Sequence, residues 1–366
     1  MKIRTITCHD VYNHGASLQA YALQTYLESL GHDVKIIDYK PSYLCGHYDL
    51  WKISNSQFDK PLLKQLYLLI KFPHRMISLR RKHAFDAFTR KYLHLTTRSY
   101  HFKEELKKNP PEADAYIAGS DQIWNTLFPN GKDSSFYLDF APKGKLRIAY
   151  AASFATKEIA EGYEGFVSQM LKNINFVSIR ESISLPLLAS LGRTDGVAVC
   201  DPVFLLSKQE WKAIMPPSPS EKYLLVYDTE NSSTLASIAI SIARDLKLPI
   251  YDVSNFRHTY AQKKMWNSSP TEFLSLLYGA NFVVSNSFHA TAFSIIFERD
   301  FCVVNRSEKI NERMKSLLHD FGLSERQVKT YSFHITNHID YHNITPVLEK
   351  KIISSKLFLS NALKIK

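Results

Sequence analysis

Two successive α/β halves of similar size predict two Rossmann-like domains facing a cleft. Three observations carry this. Short apolar, β-branched runs alternate with segments of helical periodicity along nearly the whole chain. The proline-rich stretch Met215-Pro216-Pro217-Ser218-Pro219-Ser220 interrupts the alternation and can continue neither helix nor sheet. Small and polar residues gather where the strands end, and open α/β sheets bind ligands beyond those ends. A chain of 366 residues also exceeds one core of usual size. The expected division is a first domain over 1–215 with a basic helical insertion at about 41–110, a second over 221–340, and a helical tail over 341–366.

Taken in order, residues 3–7 read as a strand. A loop with Asn13, His14 and Gly15 leads into a helix over 17–30, stopped by Gly31, and 34–38 is a second strand. This βαβ opening implies a parallel sheet. A single glycine before the helix is far from a dinucleotide-binding fingerprint. After the insertion, strands fall at 113–119, 148–152, 176–179 and 197–200, with helices at 163–173 and 183–191. The second half repeats the grammar, with strands at 223–227, 249–253, 282–285 and 301–304. Its helices are expected at 234–246, 270–278, from His289 onward, at 310–321, and at 346–363 in the tail. Asp121, Ser153, Arg180, Asp201 and His289 all fall at strand ends in this reading.

The net charge of +11 points to acidic partners. It is uneven: after Lys60, residues up to Lys108 include 12 Lys or Arg and three acids, Asp86, Glu104 and Glu105. Leu62, Leu63, Leu66, Leu68, Leu69, Ile70 and Phe72 lie among them. Residues 60–108 therefore read either as a segment for an anionic membrane surface or as a solvated helix packed by one face. No nucleic-acid module is recognisable, so no nucleic-acid partner is expected. No apolar run is long enough to span a bilayer, and the N-terminus lacks a signal-peptide pattern. A cytoplasmic location is expected, peripheral at the inner membrane face if the basic segment docks. Cys8, Cys45, Cys200 and Cys302 lack paired spacing and read as free thiols. His and acidic residues show no ligand spacing, so neither metal nor cofactor is expected.

The most informative stretch is Phe282-Val283-Val284-Ser285-Asn286-Ser287-Phe288-His289-Ala290-Thr291. It reads as strand, turn and helix start. A helix N-terminus offers free N–H groups and a positive dipole end to an anion. His289 there is either an anion ligand and proton shuttle or a capping or core residue. Arg180 is either a fork-like anion donor or a partner of Glu181. Asp121 is either a proton carrier or acceptor-hydroxyl ligand, or a helix N-cap. Trp124 offers a flat face to a sugar ring or fills a core.

Gly119-Ser120-Asp121-Gln122-Ile123-Trp124-Asn125, Arg180-Glu181-Ser182, Asp201-Pro202 and Ser287-Phe288-His289-Ala290 occur in this order. With Asn13-His14-Gly15-Ala16-Ser17-Leu18-Gln19 near the start, they resemble the polysaccharide pyruvyl transferase family over roughly residues 1–330. The resemblance implies a GT-B-like fold. It implies transfer of the pyruvyl group of phosphoenolpyruvate to two sugar hydroxyls, forming a ketal and releasing phosphate, with phosphoenolpyruvate as co-substrate rather than cofactor. The acceptor would be a cell-surface polysaccharide or its lipid-linked precursor. Arg180 and His289 match the family's donor-site Arg and His. Several members carry an Arg two positions before that His, where this chain has Ser287; Arg306 and Arg313 are the nearest replacements. On this basis His289 and Asp121 are the expected catalytic pair, with Arg180, Ser287, Arg306 and Arg313 around the donor. Asn13, His14, Gly15, Ser120, Gln122 and Trp124 are expected near the acceptor. Two other readings stay open: a nucleotide-sugar-dependent glycosyltransferase of the same fold, and a non-catalytic subunit of a polysaccharide assembly complex.

Overall fold

A computed structural model describes residues 1–45, 61–307, 311–330 and 337–364; within 61–92 it describes the side chains of residues 65, 72 and 76–92. The first half builds a seven-stranded parallel sheet. Its strands are β1 (Lys2–Ile6), β2 (Asp33–Tyr39), β3 (Leu95–Tyr100), β4 (Ala115–Ala118), β5 (Leu146–Ala152), β6 (Phe176–Ile179) and β7 (Val197–Ala198). Their order is β3-β2-β1-β4-β5-β6-β7, so the order reverses between β1 and β4. The second half builds a six-stranded sheet from β8 (Leu224–Tyr227), β9 (Ile250–Asp252), β10 (Lys263–Lys264), β11 (Phe282–Ser285), β12 (Asp300–Val304) and β13 (Gln327–Val328). Here the order is β10-β9-β8-β11-β12-β13, with the reversal between β8 and β11. Each strand pair is parallel, as in Ile3 against Val34 and Val283 against Leu225. Central strands such as β4 and β11 are buried at every position, which is why they read as continuous apolar runs rather than alternating ones.

The helices follow the strands. They are α1 (His14–Ser29), α2 (Pro61–Tyr92), α3 (Lys103–Lys108), α4 (Glu164–Leu171), α5 (Leu185–Ser190), α6 (Lys208–Ala213), α7 (Ser233–Leu246), α8 (Pro270–Gly279), α9 (Phe288–Ile296), α10 (Glu312–Asp320) and α11 (Tyr341–Lys364). Their starts are chemically marked. Asn13, Ser207, Ser232, Ser269 and Ser287 each accept backbone N–H bonds at the first turn.

The 41–110 segment is not wholly a helical insertion. Leu95–Tyr100 joins the first sheet as its edge strand, with Tyr39 paired to Tyr100. Polar Thr96, Thr97, Arg98 and Ser99 hid this strand from a reading based on apolar runs, and such residues suit an edge. Residues 46–60, and the side chains of Leu62, Leu63, Leu66, Leu68, Leu69 and Ile70, lie outside what is described. The tail helix α11 returns to the first sheet: Ser355 Oγ accepts from Cys200 N, and Phe358 packs near Tyr150. All four cysteines are free thiols, with Cys8 and Cys302 buried. Among the described residues no helix is long and apolar enough to cross a membrane.

Candidate active site

The strand ends of the first sheet meet the start of α9. Asp201, beyond β7, is 1% exposed and is the hub. Its Oδ2 accepts from Ser120 Oγ at 3.0 Å and from Arg180 Nη1 at 2.8 Å. His289 Nε2 stands 3.5 Å from the same oxygen. Arg180 also donates from Nε to Glu181 Oε1 at 3.0 Å, and Ser153 Oγ donates to that oxygen at 2.6 Å. Burial alone would raise the Asp201 carboxyl, but His289 and Arg180 outweigh it and hold it far below the usual carboxylate range. Burial likewise opposes the Arg180 charge, and Glu181 and Asp201 more than restore it. The network is incomplete: Arg180 Nη2 and Glu181 Oε2 are buried without a hydrogen-bond partner, and His289 Nε2 has only the long 3.5 Å approach to Asp201. Buried polar atoms left open in this way mark a site awaiting a ligand or water.

Arg313 of α10 adds a second open cation. It is 7% exposed, and no hydrogen bond or ion pair to it is found among the described residues. Burial, and then repulsion from Arg180, pull its pKa down to about 10. Arg180 and Arg313 both line a cavity of about 410 Å³ beneath α11. Lys350 and Lys351 also line it, against the carboxylates of Asp201 and Asp320. The Arg180 guanidinium rests 4.2 Å from the centre of the Phe288 ring, which fixes its plane. Lys351 is paired with Asp320 at 2.8 Å and Arg180 with Asp201, so four cations against two acids leave the cavity net positive and suited to an anion.

Asp121 sits beside this cluster, its charge acting on both Arg180 and Arg313. No helix follows it, so it is not an N-cap. Its φ is 75°, and its carbonyl accepts from Ser153 N. Asp tolerates this left-handed conformation better than most residues, and such backbone clusters at functional sites.

The sequence-based assignments divide as follows. Arg180, His289, Asp121, Ser120 and Arg313 come together. Arg306 does not join them, because its Nε is bound to Glu230 Oε1 at 2.7 Å. Ser287 is the N-cap of α9, its Oγ accepting from Ala290 N. Asn13 is the N-cap of α1, its Oδ1 accepting from Gly15 N and Ala16 N. His14 is fully buried, stacked on Phe273 with Nε2 3.0 Å from Ser268 O, and joins the two halves of the chain. Gly15 faces His289: a Cβ there would fall 2.0 Å from His289 Nδ1. Gln122 accepts from Asn125 Nδ2. Trp124 is fully buried, stacked on Tyr137 and donating to Phe136 O; a sealed indole with its N–H satisfied is a core residue, not a sugar platform. The pairing of Arg180 with Glu181, one of the two readings of that arginine, is present; sequence reasoning missed the central role of Asp201 and the link from Glu181 to Ser153. The signal was the place of Asp201 at the end of β7 and of Glu181 beside Arg180.

UGT89C1 of Arabidopsis thaliana is 10% identical and superposes with a TM-score of 0.51, covering 98% of this chain and 98% of that one. The UDP-GlcNAc 2-epimerase of Methanocaldococcus jannaschii is 9% identical with a TM-score of 0.45, covering 96% and 93%. The protein KP1_0663 of Klebsiella pneumoniae subsp. pneumoniae NTUH-K2044 is 14% identical with a TM-score of 0.40, covering 69% and 86%. No curated protein matches the sequence significantly. The first of these likenesses and the two facing parallel sheets agree on a GT-B-like fold. The model of the family described as polysaccharide pyruvyl transferase matches residues 13–308, most of the chain, and the chain belongs to that family of transferases.

Proposed function

We propose that this transferase moves the pyruvyl group of phosphoenolpyruvate onto two hydroxyls of a sugar in a surface polysaccharide or its precursor. The observation that carries this is Arg313: a buried guanidinium with no partner among the described residues, beside Arg180 with its open Nη2, on an anion-suited cavity. Phosphoenolpyruvate brings a carboxylate and a phosphate, the two groups that guanidinium forks bind best. Arg313 then supplies the cation that Ser287 cannot.

In the reaction an acid protonates the methylene carbon, giving a methyl group and an oxocarbenium-like centre. The first sugar hydroxyl adds to the oxocarbenium-like carbon, the one bearing the phosphate oxygen, as a base takes its proton. The bond to the phosphate oxygen then breaks, the second hydroxyl adds, and its proton leaves with phosphate. His289 is the acid, oriented by Asp201. Asp121 takes the proton of the attacking hydroxyl. Ion-paired Arg180 and unpaired Arg313 balance the charge that builds on the departing phosphate.

The test is phosphate release from phosphoenolpyruvate with galactose-, glucosamine- and mannosamine-type acceptors, with products weighed by mass spectrometry. Acceptor-dependent release, lost in Arg180→Ala and His289→Ala, is expected. Protection against heat by a uridine nucleotide but not by phosphoenolpyruvate would instead favour nucleotide-sugar transfer. The exposed Phe72, Met76 and Ile77 of α2, beside its basic residues, support docking at an anionic membrane where a lipid-linked acceptor would sit. Equal flotation with neutral and anionic vesicles would remove that part of the reading.

A further inference from the structure

The residues expected at the acceptor are largely committed elsewhere: Trp124 and His14 to cores, Asn13 to a cap, Ser120 to Asp201, Gly15 to making room for His289. A second cavity, of about 480 Å³, stands unassigned. That volume falls within the roughly 300–1,000 Å³ usual for small-molecule sites. Its walls come from the loop after β5 and from the first turn of α10, so it lies between the two halves of the chain. The first turn of α10 divides the two cavities: Arg313 lines the anion pocket, while its neighbour Glu312 lines this one.

The chemistry of the two cavities is opposite. Here Glu158, Glu161 and Glu312 face Lys157 and Lys315, three carboxylates against two ammoniums in a chain of net charge +11. Both lysines are already used: Lys157 lies 3.3 Å from Glu312 Oε2, and Lys315 2.9 Å from Glu312 Oε1. Glu158 and Glu161 are exposed, and no side-chain partner of either is found among the described residues. Leu127, 51% exposed, supplies an apolar wall. The loop is preformed, since Thr156 Oγ1 donates to Glu158 O and Ala160 N donates to Thr126 Oγ1 at 2.8 Å each. Unpaired carboxylates beside an apolar wall bind neutral hydroxyls and repel phosphate.

We infer that this cavity binds a neutral, polyhydroxylated sugar unit of the acceptor other than the one that reacts beside Asp121, with Glu158 and Glu161 accepting its hydroxyls and Leu127 against its apolar face. The inference rests on the pyruvyl-transfer reading for the need of a hydroxylated acceptor, and its test separates the two. Saturation-transfer NMR is run on the full chain with methyl glycosides of galactose, mannose and N-acetylglucosamine, in wild type and in Glu158→Ala/Glu161→Ala. The melting shift given by phosphoenolpyruvate is read on the same samples. At least one glycoside receives saturation from the wild type and binds the variant roughly tenfold more weakly per carboxylate lost, the factor of a charged hydrogen bond. The variant keeps the wild-type phosphoenolpyruvate shift. No transfer to any of the three, or equal transfer in both proteins, overturns the inference. Glycoside binding that behaves as expected without any phosphoenolpyruvate shift leaves this cavity standing and removes the donor instead.

Discussion

A largely desolvated guanidinium without a partner destabilises the fold that holds it, and Arg313, 7% exposed on the wall of its cavity, is such a group. Arg313→Met should therefore raise the stability of the unliganded protein, by on the order of 1 kcal/mol. It should also lower kcat/KM for phosphoenolpyruvate roughly 10–100-fold, the worth of a charged hydrogen bond. Arg306→Met, which removes the ion pair to Glu230 away from the cluster, should leave that constant near wild type; urea titrations and initial rates check both. Gly15 makes a second prediction at this scale. Its substitution by Ala would push a methyl into the His289 ring and misplace it, with a loss of about a hundredfold in kcat. If that loss acts through the ring, Gly15→Ala/His289→Ala should be no slower than His289→Ala alone. An additive double mutant would show that Gly15 acts otherwise.

At the scale of elements, strands were legible because their type is written in apolar runs. Phe176–Ile179 and Phe282–Ser285 fall where the sequence put them. The edge strand Leu95–Tyr100 was not legible, since edge positions are polar. The site was legible in part. Arg180, Asp121 and His289 follow from the rule that ligands sit beyond strand ends. The use of His14 was hidden, because only tertiary packing decides whether a polar residue near a helix start faces a cleft or a core. That packing has a pH consequence. Burial, and then the nearby Arg81, push the His14 pKa well below its ordinary value, against the pull of the Ser268 carbonyl. Above about pH 6.5 folded and unfolded His14 are both neutral. Below it the unfolded chain takes a proton that the folded one refuses, so stability falls as pH falls. The slope approaches about 1.4 kcal/mol per pH unit. Denaturant unfolding between about pH 7.5 and pH 5 should show a shallower decline in His14→Phe than in wild type. Parallel declines would place the acid sensitivity elsewhere.

At the scale of the molecule, two sheets do not make two independent folding units. One buried apolar cluster contains Ile3, Leu18 and Leu27 of the first half, Phe273, Phe293 and Val303 of the second, and Leu359 and Leu363 of α11. His14 crosses the same boundary to Ser268, and Arg81 crosses it to Trp266 O at 2.6 Å. Neither half can unfold without exposing part of that cluster, so the free energy of one depends on the other. The chain should therefore melt in a single calorimetric transition, with calorimetric and van't Hoff enthalpies in agreement. Leu359→Ala removes a fully buried side chain from the helix that closes the first sheet. It should lower the stability of the whole molecule by about 2–5 kcal/mol while keeping one transition. Two resolved transitions in wild type, or a Leu359→Ala protein in which only one of two steps moves, would mean that the shared cluster is a contact between domains rather than a common core.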